Sequence, residues 1–431
     1  MQVVFLCGGT GERMFPIAGE KFLLKFLGKT LLEHQIEQAL AASLNDIVIV
    51  GNRQNMERLR EIIPRFTQAR IALATQGEPS GMADAVQSVQ KLAEDELIIV
   101  NPGDIFEESA YAAVLEAQKG DSASSYILGT SVKEYFPGGY LVVDDEREIF
   151  NIVEKPKRGE EPSNVVNIVV HLHRDARVLF RCLAKVKGTG LDAYEQALAG
   201  MINEGHKLKL VEYDGFWGPI KYPWHLLVAM EYFLDQSRGG IASSAIISEK
   251  ATIEGHVTID ENVRVLENAV IRGPCYIGKN SVIGNNVLIR DRSHIGADCV
   301  VGFSTEIKHS YIGDGCWFHR NYIGDSIIAD RCSFGAGTVT ANLRFDEREV
   351  AIESDGNTLD TGLDKLGAIV GADSKIGINV SIMPGVRIGP NAIVGPHVML
   401  QRDLGPNRAI LLGNSNRLIE REVRLSGNER R

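Results

Sequence analysis

In the C-terminal half of the chain, every sixth residue is aliphatic, and a small or β-branched residue lies two positions before each of them. A six-residue period is neither that of an α-helix nor that of an isolated strand. It is typical of a parallel β-helix, in which each hexad forms one short face and the stacked coils share an aliphatic core. The aliphatic positions form two uninterrupted runs: Ile247, Ile253, Ile259, Val265, Ile271, Ile277, Ile283, Ile289, Ile295, Val301 and Ile307, then Val370, Ile376, Ile382, Ile388, Val394 and Leu400. Glycines between them, such as Gly278 and Gly284, are expected to form the turns through their backbone freedom.

The hexad phase slips after Ile307, and residues 342–367 interrupt the repeat before it resumes at Val370. The slip encloses the polar segment 319–322, and active-site geometry is one reason for such an irregularity in a regular prism. The polar excursion is long enough to reach a neighbouring subunit. An open prism face rich in aliphatic and small residues needs cover, so we predict a homotrimer held together through the β-helix. The alternative is a β-helix that only caps and oligomerises another domain.

The first 236 residues alternate between strand and helix patterns. Strand patterns cover 3–6, 46–50, 69–74 and 96–100, and helical patterns cover 30–42, 54–64 and 81–93. This alternation predicts an α/β, Rossmann-like domain with a mostly parallel sheet covered by helices on both faces. Further strands are expected at Gly139–Val143, 149–153 and 165–172, around a substrate lobe, and a helix near 226–234. The polar segment 235–240 marks the boundary, so the predicted domains are 1–236, 237–409 for the β-helix, and a C-terminal tail at 410–431.

Composition and charge narrow the class of protein. The 431 residues are 44% hydrophobic and 24% charged, which is typical of a soluble globular protein. The net charge of −10 argues against a nucleic-acid partner. The six cysteines show no CxxC pairing. With no signal peptide and no apolar run long enough for a membrane span, we expect a cytoplasmic protein.

Two groups of residues point to phosphate chemistry. Gly8, Gly9 and Gly11 follow the first strand, where a glycine-rich turn lets backbone N–H groups approach a phosphate chain. A tight turn without any ligand would show the same pattern. In the β-helix, Arg290 and Lys308 are eighteen residues apart, which is three hexads and one full coil. They should stack on one face, either as a phosphate grip or as two solvated charges.

Residues 1–236 resemble the sugar-1-phosphate nucleotidylyltransferases. The resemblance rests on the loop Gly-Gly-Thr-Gly-Glu-Arg-Met at 8–14, on Lys21, and on Asn-Pro-Gly-Asp at 101–104. It implies that the loop and Arg13 hold a nucleoside triphosphate, that Lys21 contacts its phosphates, and that Asp104 binds Mg²⁺. A sugar-1-phosphate oxygen would attack the α-phosphorus and release pyrophosphate. The resemblance also implies that Gln76 and Gly81 contact the nucleotide base. It further implies that Gly139, Glu154 and Asn167 contact the sugar phosphate.

The N-terminal half departs from that family at three positions. The segment expected to supply a second acidic or amide metal ligand reads Trp-Gly-Pro-Ile here, and Pro219 has no side-chain oxygen. The expected Asn-x-Gly ends in Val169, and the expected Pro-Lys reads Glu20-Lys21. These changes predict a slower nucleotidylyl transfer or a higher metal requirement.

Residues 245–405 resemble the acetyltransferase domain of the bifunctional N-acetylglucosamine-1-phosphate uridylyltransferase/glucosamine-1-phosphate acetyltransferase family. The matching elements are Glu-Ile-Lys at 306–308, His-x-x-Tyr-x-Gly-Asp at 319–325, Gly-Ala-Gly-Thr at 335–338, and Asn342. The resemblance implies a left-handed β-helix in which His319 is the general base that takes a proton from the amino-sugar nitrogen. It also implies that Arg290 and Lys308 bind the sugar phosphate and that Tyr322 and Asn342 position the substrate. Acetyl-CoA is expected in the seam between subunits, near Ala336 and Ala372.

Two differences touch the acetyl acceptor. The family's Asn-Tyr after Gly-Ala-Gly-Thr reads Asn342-Leu343, and a lysine in the following loop is replaced by Arg348, which we count among the substrate-binding candidates. By resemblance, this form belongs to a branch that acts on glucosamine- and galactosamine-1-phosphate.

The sequence therefore predicts a bifunctional enzyme of nucleotide-sugar synthesis, with UTP as the expected nucleotide. One alternative is a hexose-1-phosphate nucleotidylyltransferase with a non-catalytic β-helix. The other is a regulatory or assembly subunit with a degenerate nucleotidylyl site.

Overall fold

The structure, a computed structural model, describes residues 1–9, 11–17, 19–77, 81–186, 190, 192–354, 357–413 and 417–423. Two compact units account for the chain. The first comprises residues 1–10, 20–23 and 31–219, and the second comprises residues 11–19, 24–30 and 220–431.

The strands before residue 220 are β1 (Gln2–Leu6), β2 (Lys25–Phe26), β3 (Lys29–Thr30), β4 (Asp46–Gly51), β5 (Arg70–Thr75), β6 (Leu97–Val100), β7 (Asp104–Phe106), β8 (Ser125–Ser131), β9 (Gly139–Val143), β10 (Ile149–Glu154), β11 (Val165–His173), β12 (Leu208–Glu212) and β13 (Trp217–Pro219). The helices are α1 (Leu31–Ala41), α2 (Met56–Ile62), α3 (Met82–Gln87), α4 (Ser109–Gly120), α5 (Ala176–Leu183), α6 (Ala193–Asn203) and α7 (His225–Gln236), with short 3₁₀ turns at Glu12–Met14, Lys21–Leu23 and Ile63–Arg65.

The later strands are β14 (Gly240–Ile241), β15 (Ile246–Ile247), β16 (Thr252–Glu254), β17 (Val257–Ile259), β18 (Arg264–Val265), β19 (Val270–Arg272), β20 (Cys275–Ile277), β21 (Val282–Ile283), β22 (Leu288–Arg290), β23 (Ser293–Ile295), β24 (Val300–Val301), β25 (Glu306–Lys308), β26 (Tyr311–Ile312), β27 (Trp317–Phe318), β28 (Tyr322–Gly324), β29 (Ile327–Ile328), β30 (Ser333–Phe334), β31 (Val339–Thr340), β32 (Ala351–Ser354), β33 (Asn357–Asp360), β34 (Ile369–Val370), β35 (Lys375–Ile376), β36 (Ser381–Ile382), β37 (Arg387–Ile388), β38 (Ile393–Val394), β39 (Met399–Leu400), β40 (Arg408–Leu412) and β41 (Leu418–Glu422).

The first unit is built on a nine-stranded sheet. Its main order is β10-β9-β11-β6-β1-β4-β5, and β8 pairs with both β11 and β12. The four strands β5, β4, β1 and β6 are parallel, whereas β11 runs antiparallel to β6. Both faces are covered: Val3 and Phe5 pack into one core and Val4 into the other. This explains the uninterrupted apolar run in the sequence and confirms the predicted α/β, Rossmann-like class.

The predicted elements of this unit are present, with one of them shorter than expected. The helical pattern at 81–93 forms a helix only over Met82–Gln87. The hydroxyl of Ser88 donates to the Ala85 carbonyl oxygen at 2.7 Å, and turns follow. Serine bonds of this kind compete with the helical hydrogen-bond ladder.

The second unit contains the predicted parallel β-helix. Three parallel sheets form its faces: face 1 runs from β14 to β37, face 2 from β15 to β40, and face 3 from β16 to β39, with every third strand in the same sheet through the regular coils. Regular coils repeat every eighteen residues, as in the pairing of Ile259 with Ile277. The hexad residues form one aliphatic core. Ile247 and Ile253 are only partly buried because they belong to the first coil.

The phase slip after Ile307 has a local cause, which is the loss of one residue from each of three turns, those after Lys308, Phe318 and Gly324. Four steps separate Arg290 from His294, but only three separate their ladder partners Lys308 and Tyr311. The turn that contains His319 is likewise one residue shorter than the turn one coil earlier. Hydrogen bonding between coils continues through the slip, so the outward-facing side chains keep their faces.

The turns next to Gly278 and Gly284 take their left-handed backbone conformation from other residues than these glycines. Asn280, Asn286 and Asp298 have φ of 61°, 57° and 56°, so asparagine and aspartate adopt the left-handed conformation. Gly278 and Gly284 are needed for close approach instead. A Cβ at Gly278 would lie 2.6 Å from the Ala297 nitrogen on the next coil.

The predicted excursion at 342–367 leaves the β-helix and returns at the same corner. Its ends are joined by a hydrogen bond from Leu366 N to Asn342 O, at 3.0 Å. It contains the hairpin β32–β33, from which Ile352 is buried, while Phe345 is fully exposed. At the C-terminus, β40 extends face 2 and pairs antiparallel with β41. Residues 414–416 and 424–431 of the predicted tail lie outside the described residues.

Face 1 of the β-helix is covered by segments from other parts of the second unit. Its outward ladder stacks three rings, with centroid distances of 4.8 Å from Tyr276 to His294 and 5.0 Å from His294 to Tyr311. Phe26 packs on Tyr311 and on Phe233 of α7. These contacts hold residues 24–30 and α7 on face 1. Over the described residues, the protein has no helix that is both long and apolar enough to cross a membrane.

Candidate nucleotidylyl and acetyl-transfer sites

The carboxyl end of β1 leads into the predicted phosphate loop, and three of the predicted residues meet there. A Cβ at Gly8 would collide with the side-chain oxygen of Gln76, which is 1% exposed. The Gln76 amide donates to the Gly81 carbonyl oxygen at 3.1 Å and to Asp84 at 2.8 Å. Gly9 is exposed, with open space where a Cβ would lie. Thr10 of this loop lies outside the described residues.

Asp104 is the first residue of β7 and is 4% exposed. It pairs with Pro219 across the antiparallel β7–β13 ladder, so the position that should supply a second metal ligand lies directly opposite Asp104. The Lys21 side chain reaches the same end of β7, since a Cβ at Gly103 would lie 3.7 Å from Lys21 Cδ. Lys21 and Asp104 therefore belong to one site.

The donor set at Asp104 fits a Mg²⁺ ion held partly by substrate. Among the described residues, no cluster of three or more His, Cys, Asp or Glu side chains could hold a metal. Mg²⁺ usually binds through one or two carboxylates together with substrate phosphates and water, rather than in an all-protein cage. A single carboxylate opposite Pro219 meets the lower limit of that requirement.

The three predicted sugar-phosphate residues are brought together on β9, β10 and β11. Gly139 is the ladder partner of Glu154. A Cβ at Gly139 would lie 2.9 Å from Asn167 Nδ2 and 3.2 Å from Glu154 Oε2, so only glycine leaves this space open. Glu154 also forms an ion pair with Lys155, with 2.7 Å between Oε1 and Nζ.

Glu195 on α6 is a buried carboxyl beside this group that the sequence analysis did not identify. It is 8% exposed, and its Oε2 atom has no hydrogen-bond partner among the described residues. Burial, followed by the charge of Glu154, raises the pKa of Glu195 to about 7. No sequence motif marks Glu195, and only its burial in the folded protein identifies it.

Gly11 and Arg13 belong to the second unit. Gly11 has φ 69° and precedes the turn Glu12–Met14, in which Arg13 is exposed. The Arg387 guanidinium lies 5.6 Å from the centre of the Phe15 ring, which attaches this segment to the β-helix.

Arg290 and Lys308 are direct ladder partners on face 3, as their eighteen-residue spacing predicts. Each cation has a carboxylate partner. Arg290 pairs with Glu306 at 2.7 Å and also with Asp291. Lys308 Nζ donates to both oxygens of Asp325, at 3.0 and 2.8 Å.

Asp325 connects several of the predicted acceptor residues, although its role was missed from the sequence. Besides Lys308, its carboxylate accepts from Asn342 Nδ2 and pairs with His309 Nδ1 at 2.9 Å. The Asn342 amide also donates to the Tyr322 hydroxyl at 3.3 Å. Asp325 is the last residue of the motif at 319–325, which is the signal that could have identified it.

His319 lies in the corner between faces 2 and 3, directly after β27, and its side chain is exposed. In the neighbouring coils this corner position holds Gly302 and Gly335. The turn is held by Asn321, whose oxygen accepts from His319 N at 2.8 Å and whose amide donates to Gly335 O at 2.8 Å. His319 and Lys308 therefore lie at opposite edges of face 3.

The remaining predicted residues lie apart from this group. Ala336 is at the corner between faces 2 and 3, one coil beyond His319, whereas Ala372 is at the corner between faces 1 and 2. Arg348 is exposed in the excursion, where its backbone N–H donates to Asp346 at 3.4 Å. Among the described residues, no hydrogen bond or ion pair joins the Arg348 side chain to Lys308 or His319.

Comparison with known proteins gives the same division of the chain. The family profile described as nucleotidyl transferase matches residues 2–220, and the profile described as bacterial transferase hexapeptide (six repeats) matches 274–309 and 367–402. The two halves thus define a nucleotidyltransferase joined to a hexapeptide-repeat transferase.

Relatives with both halves cover almost the whole chain. The chain is 33% identical over 420 residues to the bifunctional sugar-1-phosphate nucleotidylyltransferase/acetyltransferase of Sulfurisphaera tokodaii, covering 94% of this chain and 98% of that protein. It is 37% identical over 414 residues to the bifunctional protein GlmU of Methanococcus maripaludis strain C7 and 33% identical over 416 residues to that of Methanocaldococcus jannaschii, covering 94% of this chain and 96% of each. The chain belongs to this family of bifunctional enzymes.

The pKa of Glu195 leads to a test of how α6 is packed. Between its ordinary value of 4.5 and about 7, the folded state keeps a proton that the unfolded chain loses, so stability falls as pH rises through this window. Glu195→Gln should stabilise the protein by up to about 3 kcal/mol at pH 8 and by little near pH 4.5, measured by urea unfolding. Glu204→Gln is the control, because Lys185 and Arg181 lower the pKa of that exposed carboxyl. Equal effects of Glu195→Gln at both pH values would contradict the assignment.

Proposed function

We propose that this enzyme acetylates an amino-sugar 1-phosphate on its β-helix and then transfers a nucleoside monophosphate unit from a nucleoside triphosphate to the product, with release of pyrophosphate. The acceptor would be glucosamine 1-phosphate or galactosamine 1-phosphate, the acetyl donor acetyl-CoA, and the nucleotide UTP. The observation that carries the proposal is the arrangement on face 3, where the stacked cations Arg290 and Lys308 lie at one edge and His319 at the other. The name of the Sulfurisphaera relative includes both activities.

In the acetyl transfer, the amine of the acceptor attacks the thioester carbonyl, the new C–N bond forms, and the C–S bond breaks to release CoA. The amine must lose a proton, and the imidazole of His319 is the acceptor we propose for it. Arg290 and Lys308 would bind the phosphate, and Tyr322 and Asn342 would orient the sugar between the two edges. The proposal includes a left-handed β-helix and acetyl-CoA contacts at Ala336 and Ala372. It also includes a contact of Arg348 with the acceptor.

In the nucleotidylyl transfer, Gly8, Gly9 and Gly11 with Arg13 and Lys21 would bind the triphosphate, and Gln76 with Gly81 would bind the base. Gly139, Glu154 and Asn167 would hold the sugar phosphate. When bound at Asp104, Mg²⁺ would supply positive charge that offsets the charge of the reacting phosphates. The protein groups orient the sugar-phosphate oxygen toward the α-phosphorus, and pyrophosphate leaves.

The limits of the functional domains complete the proposal. They are 1–236 for nucleotidylyl transfer, 237–409 for the β-helix and 410–431 for the tail. Three copies of the chain would assemble through the β-helix. Exposed apolar side chains on its second and third faces support this, among them Trp317, which is 52% exposed, and Met399, which is 53% exposed.

His319→Ala should remove acetyl transfer and spare the other half of the enzyme. Loss of a positioned general base costs about 10²–10⁴ in kcat, more than the packing effect of an exposed histidine. The assay follows CoA thiol release and pyrophosphate release separately. His397→Ala is the control, since His397 is exposed at the same corner of the β-helix. Wild-type CoA release by His319→Ala would make this histidine a structural residue.

Asp104→Ala should abolish Mg²⁺-dependent pyrophosphate release, because Asp104 is the proposed metal ligand and its ladder partner Pro219 has no side-chain oxygen to replace it. Pro219→Asp should lower the Mg²⁺ concentration needed for half-maximal rate, since it places a carboxylate across the ladder from Asp104. Asp145→Ala, at an exposed position, is the control. Unchanged pyrophosphate release in Asp104→Ala would show that the metal binds elsewhere.

The enzyme should sediment as a trimer in analytical ultracentrifugation across the concentrations used for assay. Closed cyclic symmetry covers the apolar face on every copy. A stable monomer that still acetylates glucosamine 1-phosphate would exclude both the trimer and an acetyl-CoA site between subunits.

A further inference from the structure

A chain of four charged side chains begins at Lys308 and ends on α7. Lys308 donates to Asp325, Asp325 pairs with His309 Nδ1 at 2.9 Å, and His309 Nε2 lies 2.7 Å from Glu231 Oε1. The side chains of Lys308, Asp325 and His309 are 15%, 4% and 19% exposed. Glu231 is 42% exposed. The other three side chains are therefore largely shielded from water, where charges interact more strongly than in bulk solvent.

The position of His309 follows from the shortened turn at the corner between faces 3 and 1. His309 and Asp325 have φ of 44° and 47° and occupy equivalent places on successive coils. Asp325 N donates to Lys308 O at 2.9 Å, and Ser310, bonded to the Lys308 carbonyl at 2.8 Å, holds the turn. The two side chains consequently face each other along the prism axis.

The geometry determines the charge of His309. A neutral imidazole has one nitrogen that donates and one that accepts, so it can donate to only one carboxylate. Here both ring nitrogens face carboxylate oxygens, of Asp325 and of Glu231. Burial by itself lowers the pKa of His309, but the hydrogen bonds to these two carboxylates outweigh it and raise the pKa to about 9.

This charge matters for the phosphate site. Asp325 positions the Lys308 ammonium but, taken alone, it also neutralises it. The imidazolium of His309 balances Asp325, so that the positive charge of Lys308 remains effective toward a phosphate. Glu231 in turn holds the imidazolium, and Arg292, paired with Asp235 at 3.1 Å, is the further cation whose charge acts on Glu231.

We propose that His309 is a positioning residue for the acetyl acceptor: held as a cation between Asp325 and Glu231, it maintains the affinity of Lys308 for the phosphate of the amino sugar. The inference rests on the proposed acetyl-transfer function. It goes beyond that function because it gives His309 and Glu231 a role at the phosphate site of Lys308, although neither residue is proposed to contact the substrate.

The test compares His309→Gln and Glu231→Gln with the wild-type full-length enzyme, using glucosamine 1-phosphate and acetyl-CoA from pH 7 to 10. His309→Gln should raise the KM for glucosamine 1-phosphate about ten-fold at pH 7.5 with kcat changed less than about two-fold, since it removes one buried charge-assisted interaction. His256→Gln is the control, an exposed histidine at the same corner of an earlier coil. Thermal unfolding of each variant checks that it is folded.

The pH profile separates this role from a structural one. In the wild type, His309 loses its proton as pH rises through about 9, so the KM should rise there. That rise should move to lower pH in Glu231→Gln and be absent in His309→Gln, while titration of the substrate is common to all variants. A KM and a pH profile unchanged in a folded His309→Gln would overturn the inference and leave the proposed reaction intact.

Calorimetric binding of glucosamine 1-phosphate distinguishes the two proposals. If the wild type binds glucosamine 1-phosphate but releases no CoA, the proposed acetyl transfer is wrong. The role of His309 is then tested by comparing the affinity of His309→Gln for glucosamine 1-phosphate with that of the wild type. If the wild type neither binds nor acetylates glucosamine or galactosamine 1-phosphate, both proposals are wrong.

Discussion

The backbone hydrogen bonds between successive coils are the constraint on which the second unit depends. Each strand of the β-helix pairs in parallel with the strands one coil before and one coil after it, and this register continues through the slip after Ile307. Three turns therefore lose a residue each while the faces stay aligned. One shortened turn carries His319, and the other two carry His309 and Asp325, both with a left-handed backbone. The irregularity that interrupts the repeat in sequence is what concentrates chemistry at two edges of one face.

Charge balance is the second constraint, because the cations of face 3 are not simply exposed to solvent. Arg290 and Lys308 are both held by carboxylates, and a ligand phosphate would have to share them with Glu306 and Asp325. A buried carboxylate costs free energy unless it is paired and hydrogen-bonded. Asp325 meets this requirement through Lys308, His309 and Asn342, which also lowers the pKa of Asp325 against the opposing effect of burial.

The first unit combines a family fold with a reduced donor set. The sheet brings Gly139, Glu154 and Asn167 to one place, and it brings Lys21 to the end of β7 that carries Asp104. The ladder partner of Asp104 is nevertheless Pro219, which contributes no oxygen. Whole-length relatives establish the family, and this ladder position is where the chain lacks the side-chain oxygen that the sequence comparison leads us to expect.

The hexad period by itself determined the parallel β-helix, because a strict six-residue repeat of aliphatic residues is satisfied only when equivalent positions stack in one core. The same arithmetic placed Arg290 beside Lys308, and the alternation of apolar runs determined the α/β sheet. Motif resemblance identified candidates, but not their partners. The pairing of Pro219 with Asp104, the raised pKa of Glu195, and the chain from Lys308 to Glu231 were decided only by the tertiary structure. These features depend on contacts between residues 16 to 115 positions apart, and on burial, neither of which a local pattern encodes.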